Sequence, residues 1–122
     1  MPPNFWTINT REIYTCYRID MAVVVLFSTF PNADVAASVA RTLVDEQLCA
    51  CVNLVPAVRS IYRWRGAICD EQEVLAIVKT TDERVAALQA RLVELHPYEV
   101  PEALVVPTIG GHAPYLAWVA SS

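Results

Sequence analysis

The spacing of apolar residues changes several times along the chain, and each change marks an element. Ala22 to Phe27 is an unbroken apolar run rich in β-branched residues, closed by Ser28, Thr29 and Pro31. It predicts a strand covered on both faces. Ala36, Val39, Ala40, Leu43, Val44 and Leu48 then recur at helical spacing. With Asn32 as cap and Asp34 in the first turn, they predict an amphipathic helix over about 32–47. Cys49 to Val58 and Ser60 to Trp64 return to strand chemistry, Gly66 marks a turn, and Cys69 to Lys79 runs back. A long hairpin follows, with its Arg- and Glu-rich tip in water and its base in the core. Thr80 with Glu83 reads as a capping box opening a second helix, whose stripe is Val85, Leu88, Leu92 and Leu95. Pro97 disfavours α geometry at His96 and ends that helix near Leu95. Glu102 to Val106, between Pro101 and Pro107, is a short strand suited to a sheet edge. Gly110 and Gly111 break the chain before a closing helix over Ala113 to Ala120.

The order is β-α-β-β-α-β plus a terminal helix. That predicts an α+β, ferredoxin-like split β-α-β fold: an antiparallel sheet with both main helices on one face. The other face is left uncovered within one subunit. Residues 1–20 mix polar and aromatic residues without helical spacing. They form an N-terminal extension, disordered or carrying a short edge strand over Ile13 to Ile19, ahead of a single domain over 21–122.

Composition adds one constraint. Apolar residues make up 55% and charged residues 18% of the 122, against about 45–50% and about 25% in an average soluble domain. That excludes disorder for most of the chain. The longest purely apolar run, Met21 to Phe27, falls far short of the roughly 18–20 residues of a membrane span. The surplus therefore calls for an interface with further copies of the chain. A net charge of −4 argues against nucleic acid or anionic membrane as partner. Four cysteines are too few for a disulfide scaffold, and the N-terminus shows no signal-peptide pattern, so the expected compartment is the cytoplasm.

Several of these segments carry a resemblance. Ala50-Cys51-Val52-Asn53 with Pro56, and Ser60-Ile61-Tyr62-Arg63-Trp64-Arg65-Gly66, resemble the hairpin signature of the CutA-type divalent-cation-tolerance proteins. Glu73-Val74-Leu75 leading to Lys79-Thr80, His96-Pro97-Tyr98-Glu99-Val100-Pro101-Glu102 and Tyr115-Leu116-Ala117-Trp118 continue it. The resemblance implies a compact homotrimer whose sheets join through the hairpins, similar in architecture to PII signalling proteins. It further implies a role in tolerance of divalent metal ions, with copper as the ion to expect, and it supplies no enzymatic reaction.

The candidate chemistry follows. Cys49 and Cys51 sit two apart on a predicted strand and would share a face. Thiolates favour copper and zinc, whereas cysteine is also a common core residue; Cys51, inside the family's Ala-Cys-x-Asn pattern, is the better ligand candidate. His96, with Glu99 and Glu102 close behind, makes a Cu(II) or Zn(II) set, or else a helix-terminal histidine satisfying late carbonyls. Lys79, the only lysine, either binds an anion or snorkels as a structural residue. With Tyr62, Tyr98 and Trp118 it would line an intersubunit cleft. Arg59, Arg63 and Arg65 would face Asp70, Glu71 and Glu73 across the hairpin. Trp64, Arg63, Arg65 and Tyr115 would contact the neighbouring subunit, Trp64 as buried anchor. The resulting expectation is a non-enzymatic homotrimer that binds divalent metal through Cys51, His96, Glu99 and Glu102. The alternative is a PII-like signalling trimer holding a small anionic ligand or a protein in its clefts. An acylphosphatase-type enzyme is disfavoured, because residues 28–33 contain no glycine to cradle phosphate.

Overall fold

The computed structural model describes residues 23–122, so the proposed extension over 1–20, and Met21 and Ala22, lie outside the described residues. The elements run β1 (Val23–Phe30), α1 (Ala33–Asp45), β2 (Cys51–Trp64), β3 (Ala67–Thr81), a 3-10 turn (Asp82–Arg84), α2 (Val85–Leu95), β4 (Leu104–Pro107) and α3 (Ala113–Ser121). All pairings are antiparallel, and the sheet order is β2-β3-β1-β4. This is the α+β arrangement that the element order predicted.

Side-chain alternation divides the sheet into two faces. Leu26 and Phe30 of β1, with Val74, Ala76 and Val78 of β3, point to one side. They meet Ala36, Val39 and Leu43 of α1 and Leu88 and Leu92 of α2 in one buried cluster. Val23 points the other way, where Leu116 and Val119 of α3 cover it. That helix shields only one end of the second face. Farther along, Val55 is 37%, Val106 40% and Leu104 60% exposed. β1 is thus sealed on the helix side and half-covered on the other, whereas its apolar run predicted burial on both.

Local chemistry sets most boundaries. Asn32 is extended, and its side-chain oxygen accepts the Val35 N–H at 2.9 Å, capping α1 as expected. β1 continues through Ser28 and Thr29 because both pair across to β3. The hairpin turns at Arg65 and Gly66, both at positive φ (49° and 82°). Glycine takes this conformation freely and arginine does not. Pro56 falls at a register shift between Val55 and Val58, where a missing N–H costs no ladder bond. β4, the edge strand, pairs Pro107 opposite Val24.

Two local expectations fail. Thr80 does not cap a helix: β3 extends through Thr81, and the Thr80 hydroxyl donates instead to the Leu48 carbonyl at 2.8 Å. Thr80 is fully buried, and a buried hydroxyl that already has a partner is held by the tertiary structure more strongly than an exposed cap would hold it. Cys49 and Cys51 do not share a face. Cys49 precedes β2 in an irregular stretch and belongs to the helix-side core, 1% exposed. Cys51 pairs with Lys79 on the other face. Among the described residues, no helix is long and apolar enough to cross a membrane.

Candidate functional site

β1 ends at its pairing with Val74, while the β2–β3 ribbon continues seven rungs further, from Val58 opposite Glu73 to Trp64 opposite Ala67. One face of this arm carries Ser60, Tyr62 and Trp64 beside Glu71 and Glu73. The loop after α2 packs against that face. Together they form a cleft of about 540 Å³, lined by Tyr62, Trp64, Glu71, Glu73, Tyr98, Glu99 and Glu102 among others.

His96 fixes the loop. It is 7% exposed, its ring stacks on Phe30 with centroids 4.4 Å apart, and its backbone is extended ahead of Pro97. The β1–β4 ladder stops at Phe27 and Leu104. Beyond it, His96 Nε2 lies 2.7 Å from the Thr29 carbonyl, and Nδ1 accepts the Tyr98 N–H at 3.1 Å. An N–H donor facing Nδ1 and a carbonyl facing Nε2 select the neutral tautomer protonated on Nε2. Burial lowers the His96 pKa, opposed by the Thr29 bond and the nearby Glu73 charge. With both nitrogens engaged, His96 is a structural clamp. It has no lone pair left for a metal within the subunit.

Tyr98, held by that clamp, donates from its hydroxyl to Glu73 Oε2 at 2.6 Å. Glu73 is 6% exposed, the most buried carboxylate among the described residues. Burial and the Glu73 bond raise the Tyr98 pKa well above a free phenol. Tyr62 donates to Glu71 at 3.0 Å, and that bond is the main reason its pKa is raised to about 12. At the rim, Arg65 lies 5.3 Å from the Trp64 ring centre and 2.7 Å from Glu99.

The remaining candidates are elsewhere. Lys79 is ten residues from Cys69, the cross-strand partner of Tyr62, hence about 33 Å along the strand. There Lys79 donates to Asn53 at 2.5 Å and sits 5.9 Å from the Tyr115 ring. Trp118 packs beside Tyr115 on α3, their rings 5.6 Å apart. Within one subunit, the four residues expected to line an intersubunit cleft lie in two places: Tyr62 with Tyr98, and Lys79 with Tyr115 and Trp118. Cys51 stands opposite Lys79, its thiol 3.7 Å from Asn53 Oδ1. It lies about four residues, or roughly 13 Å, from the Thr29–Leu75 rung that His96 clamps. Cys51, His96, Glu99 and Glu102 do not form one set within a subunit. Among the described residues no group of three or more His, Cys, Asp or Glu is placed to hold a metal ion.

The cross-strand charge pairing holds for one arginine only. Arg59 makes a two-pronged bond to Asp70 at 2.8 and 2.6 Å, whereas Glu71 and Glu73 take tyrosines. Trp64 is 41% exposed in the subunit. Glu71 and Glu73 escaped sequence reasoning as cleft residues because their aromatic partners are 9 and 25 residues away. The register pairs Glu71 with Ser60 and Glu73 with Val58, so both stand on the Tyr62 and Trp64 face and not on the arginine face that the sequence predicts.

Residues 24–122 match the family model described as CutA1 divalent ion tolerance protein. The chain belongs to the CutA1 family. It is 45% identical over 95 residues to the divalent-cation tolerance protein CutA of Thermus thermophilus, covering 78% of this chain and 92% of that protein. Against human Protein CutA it is 46% identical over 93 residues, covering 76% of this chain but 52% of the relative, so the match spans about half of the human protein. The solved CutA1 structure from Thermus thermophilus superposes with a TM-score of 0.79 at 43% identity, covering 81% of this chain and 96% of that one. CutA membership accounts for the order of the hairpin, loop and α3 motifs.

Proposed function

We propose that the chain acts as a non-enzymatic cytoplasmic homotrimer in tolerance of divalent metal ions, with copper as the principal ion. The observation that carries the assembly is the uncovered sheet face, where Leu104, Val106 and Val55 lie open beyond the reach of α3. Burying apolar area at about 25 cal/mol per Å² is the main gain available to it, and identical copies are the partners always present. Arg63, Arg65, Trp64 and Tyr115 are the proposed contacts on the projecting arm and on α3.

The metal reading rests on membership of a family described by divalent ion tolerance and on the donors at surfaces a second subunit would meet. Glu99 and Glu102 line the cleft, and Cys51 lies on the second face of the sheet, toward the end that α3 covers. We assign ligation to these three, completed by a neighbouring copy, and give His96 the task of positioning the loop. Hard carboxylates with a soft thiolate suit a borderline ion such as Cu(II).

Sedimentation equilibrium should find a species three times the 13.5 kDa chain mass, and Leu104→Glu should dissociate it. A monodisperse monomer would remove the assembly. Calorimetric titration of Cu(II) should show heat that falls in Cys51→Ser and in Glu99→Gln/Glu102→Gln. Unchanged isotherms in both variants would refute the ligand assignment.

The cleft itself favours a second reading, a PII-like trimer holding a small ligand. Within one subunit its carboxylate lining, with Lys79 remote, favours a cation over the anion expected of an intersubunit cleft.

A further inference from the structure

The two faces of the β2–β3 arm carry opposite chemistry. On the cleft side stand Tyr62 and Trp64 with Glu71 and Glu73. The other side carries Arg59, Ile61 and Arg63 opposite Gln72, Asp70 and Ile68. Within one subunit that second side is open, with Ile61 65% and Ile68 70% exposed. Val100, on the loop that walls the cleft, is 66% exposed. These three are the most exposed large apolar side chains among the described residues. Ile61 and Ile68 are diagonal neighbours across the ladder, so they form one patch with Arg63 at its edge.

Charge is unbalanced in opposite senses on the two sides. Arg59, Arg65 and Arg91 each meet a carboxylate, whereas Arg63 is exposed and meets none among the described residues. In the cleft the carboxylates lack a cation. Glu73, 6% exposed, takes the Tyr98 hydroxyl, and Glu71 takes that of Tyr62. A carboxylate held that far from water is costly without positive charge nearby. Lys79 does not supply it within the subunit, because it is bound to Asn53 and lies over the Tyr115 ring.

We infer that the arm of each copy lays its Ile61–Arg63–Ile68 face against the cleft of the next copy. There the Arg63 guanidinium meets Glu71, with the Glu73 charge behind it, and the two isoleucines cover Val100. The inference rests on the assembly proposed above and names the residue that a neighbouring copy adds to the cleft. Glu99 and Glu102 take no part in it and stay open to the metal assignment. Donor and receiver are opposite faces of one arm, so the contact is head-to-tail and not self-complementary. Two copies related by a twofold axis leave such a contact unmade, and the smallest ring that closes it has three.

The test is sedimentation equilibrium of the full chain over a range of concentrations. Arg63→Glu sets like charges against each other and should raise the concentration needed for half assembly by about tenfold or more. Combining Arg63→Glu with Glu71→Arg restores opposite charges and should recover most of that loss. Within one subunit the two positions lie on opposite faces of the arm, so the recovery passes between copies. Arg41→Glu makes the same change of charge at an exposed position on α1 and should leave assembly unchanged. All three positions are exposed, and circular dichroism should show every variant folded. Native-like assembly of Arg63→Glu, a double variant no better than Arg63→Glu, or an equal loss in Arg41→Glu would each overturn the inference and leave the trimer standing. A native chain that sediments as a monomer would remove both.

Discussion

Removing one oxygen, in Tyr98→Phe, tests whether the cleft is held by a single charge-assisted bond. The Tyr98 hydroxyl donates to Glu73 at 2.6 Å, and Glu73 is 94% buried, since 6% of its surface is exposed. Phenylalanine fills the same space but leaves that carboxylate oxygen without its donor. Hydrogen bonds to charged groups contribute about 1.5–3 kcal/mol, and the length and burial here place the expected loss at about 2 kcal/mol. Urea unfolding at neutral pH and fixed protein concentration would read it as a lower midpoint at unchanged slope. The same substitution in a Glu73→Gln background should cost only about 1 kcal/mol, the worth of a neutral bond. The difference is the coupling between the two groups. A loss below about 0.5 kcal/mol in the native background, or an equal loss in both backgrounds, would show that water satisfies Glu73 and that the cleft wall is not set by this bond.

Three further outcomes follow from the structure. His96 has a pKa lowered by burial, so the unfolded chain binds the extra proton more readily. Stability should hold above about pH 6.5, the unfolded value, and fall as acid passes through the lowered folded value; His96→Gln should lose that dependence, and a flat pH profile in the native chain would contradict it. Leu88→Ala, at a fully buried position between α2 and the sheet, should cost about 2–5 kcal/mol by denaturant titration, and a cost under 1 would mean the helix does not seal the core. Cys49, 1% exposed with its thiol raised to about 11 by burial, should alkylate only on unfolding; rapid labelling of Cys49 in the native chain, located by peptide mass, would contradict its placement.

Much of the site's framework was legible along the chain. The period of apolar positions gave all four strands and three helices, but Glu71 and Glu73, read as facing the arginines, stand instead on the Tyr62 and Trp64 face. Pro97 alone accounted for the end of α2 and the extended backbone at His96. The ligand set was not legible. Cys51, His96, Glu99 and Glu102 look close in chemistry, but antiparallel pairing sends Cys51 toward one end of the sheet and His96 to the other.

Periodicity, caps and turns are local, since each rests on residues within about four positions of one another, so the amino-acid order determined the elements, their order and the fold class. Which polar group meets which was decided only in three dimensions. Thr80 met a carbonyl 32 residues away, His96 a carbonyl 67 away and Tyr98 a carboxylate 25 away. A buried polar group takes whatever partner the packed fold brings within about 3 Å, and that distance is set by sheet register and helix packing together, which no short window of sequence contains.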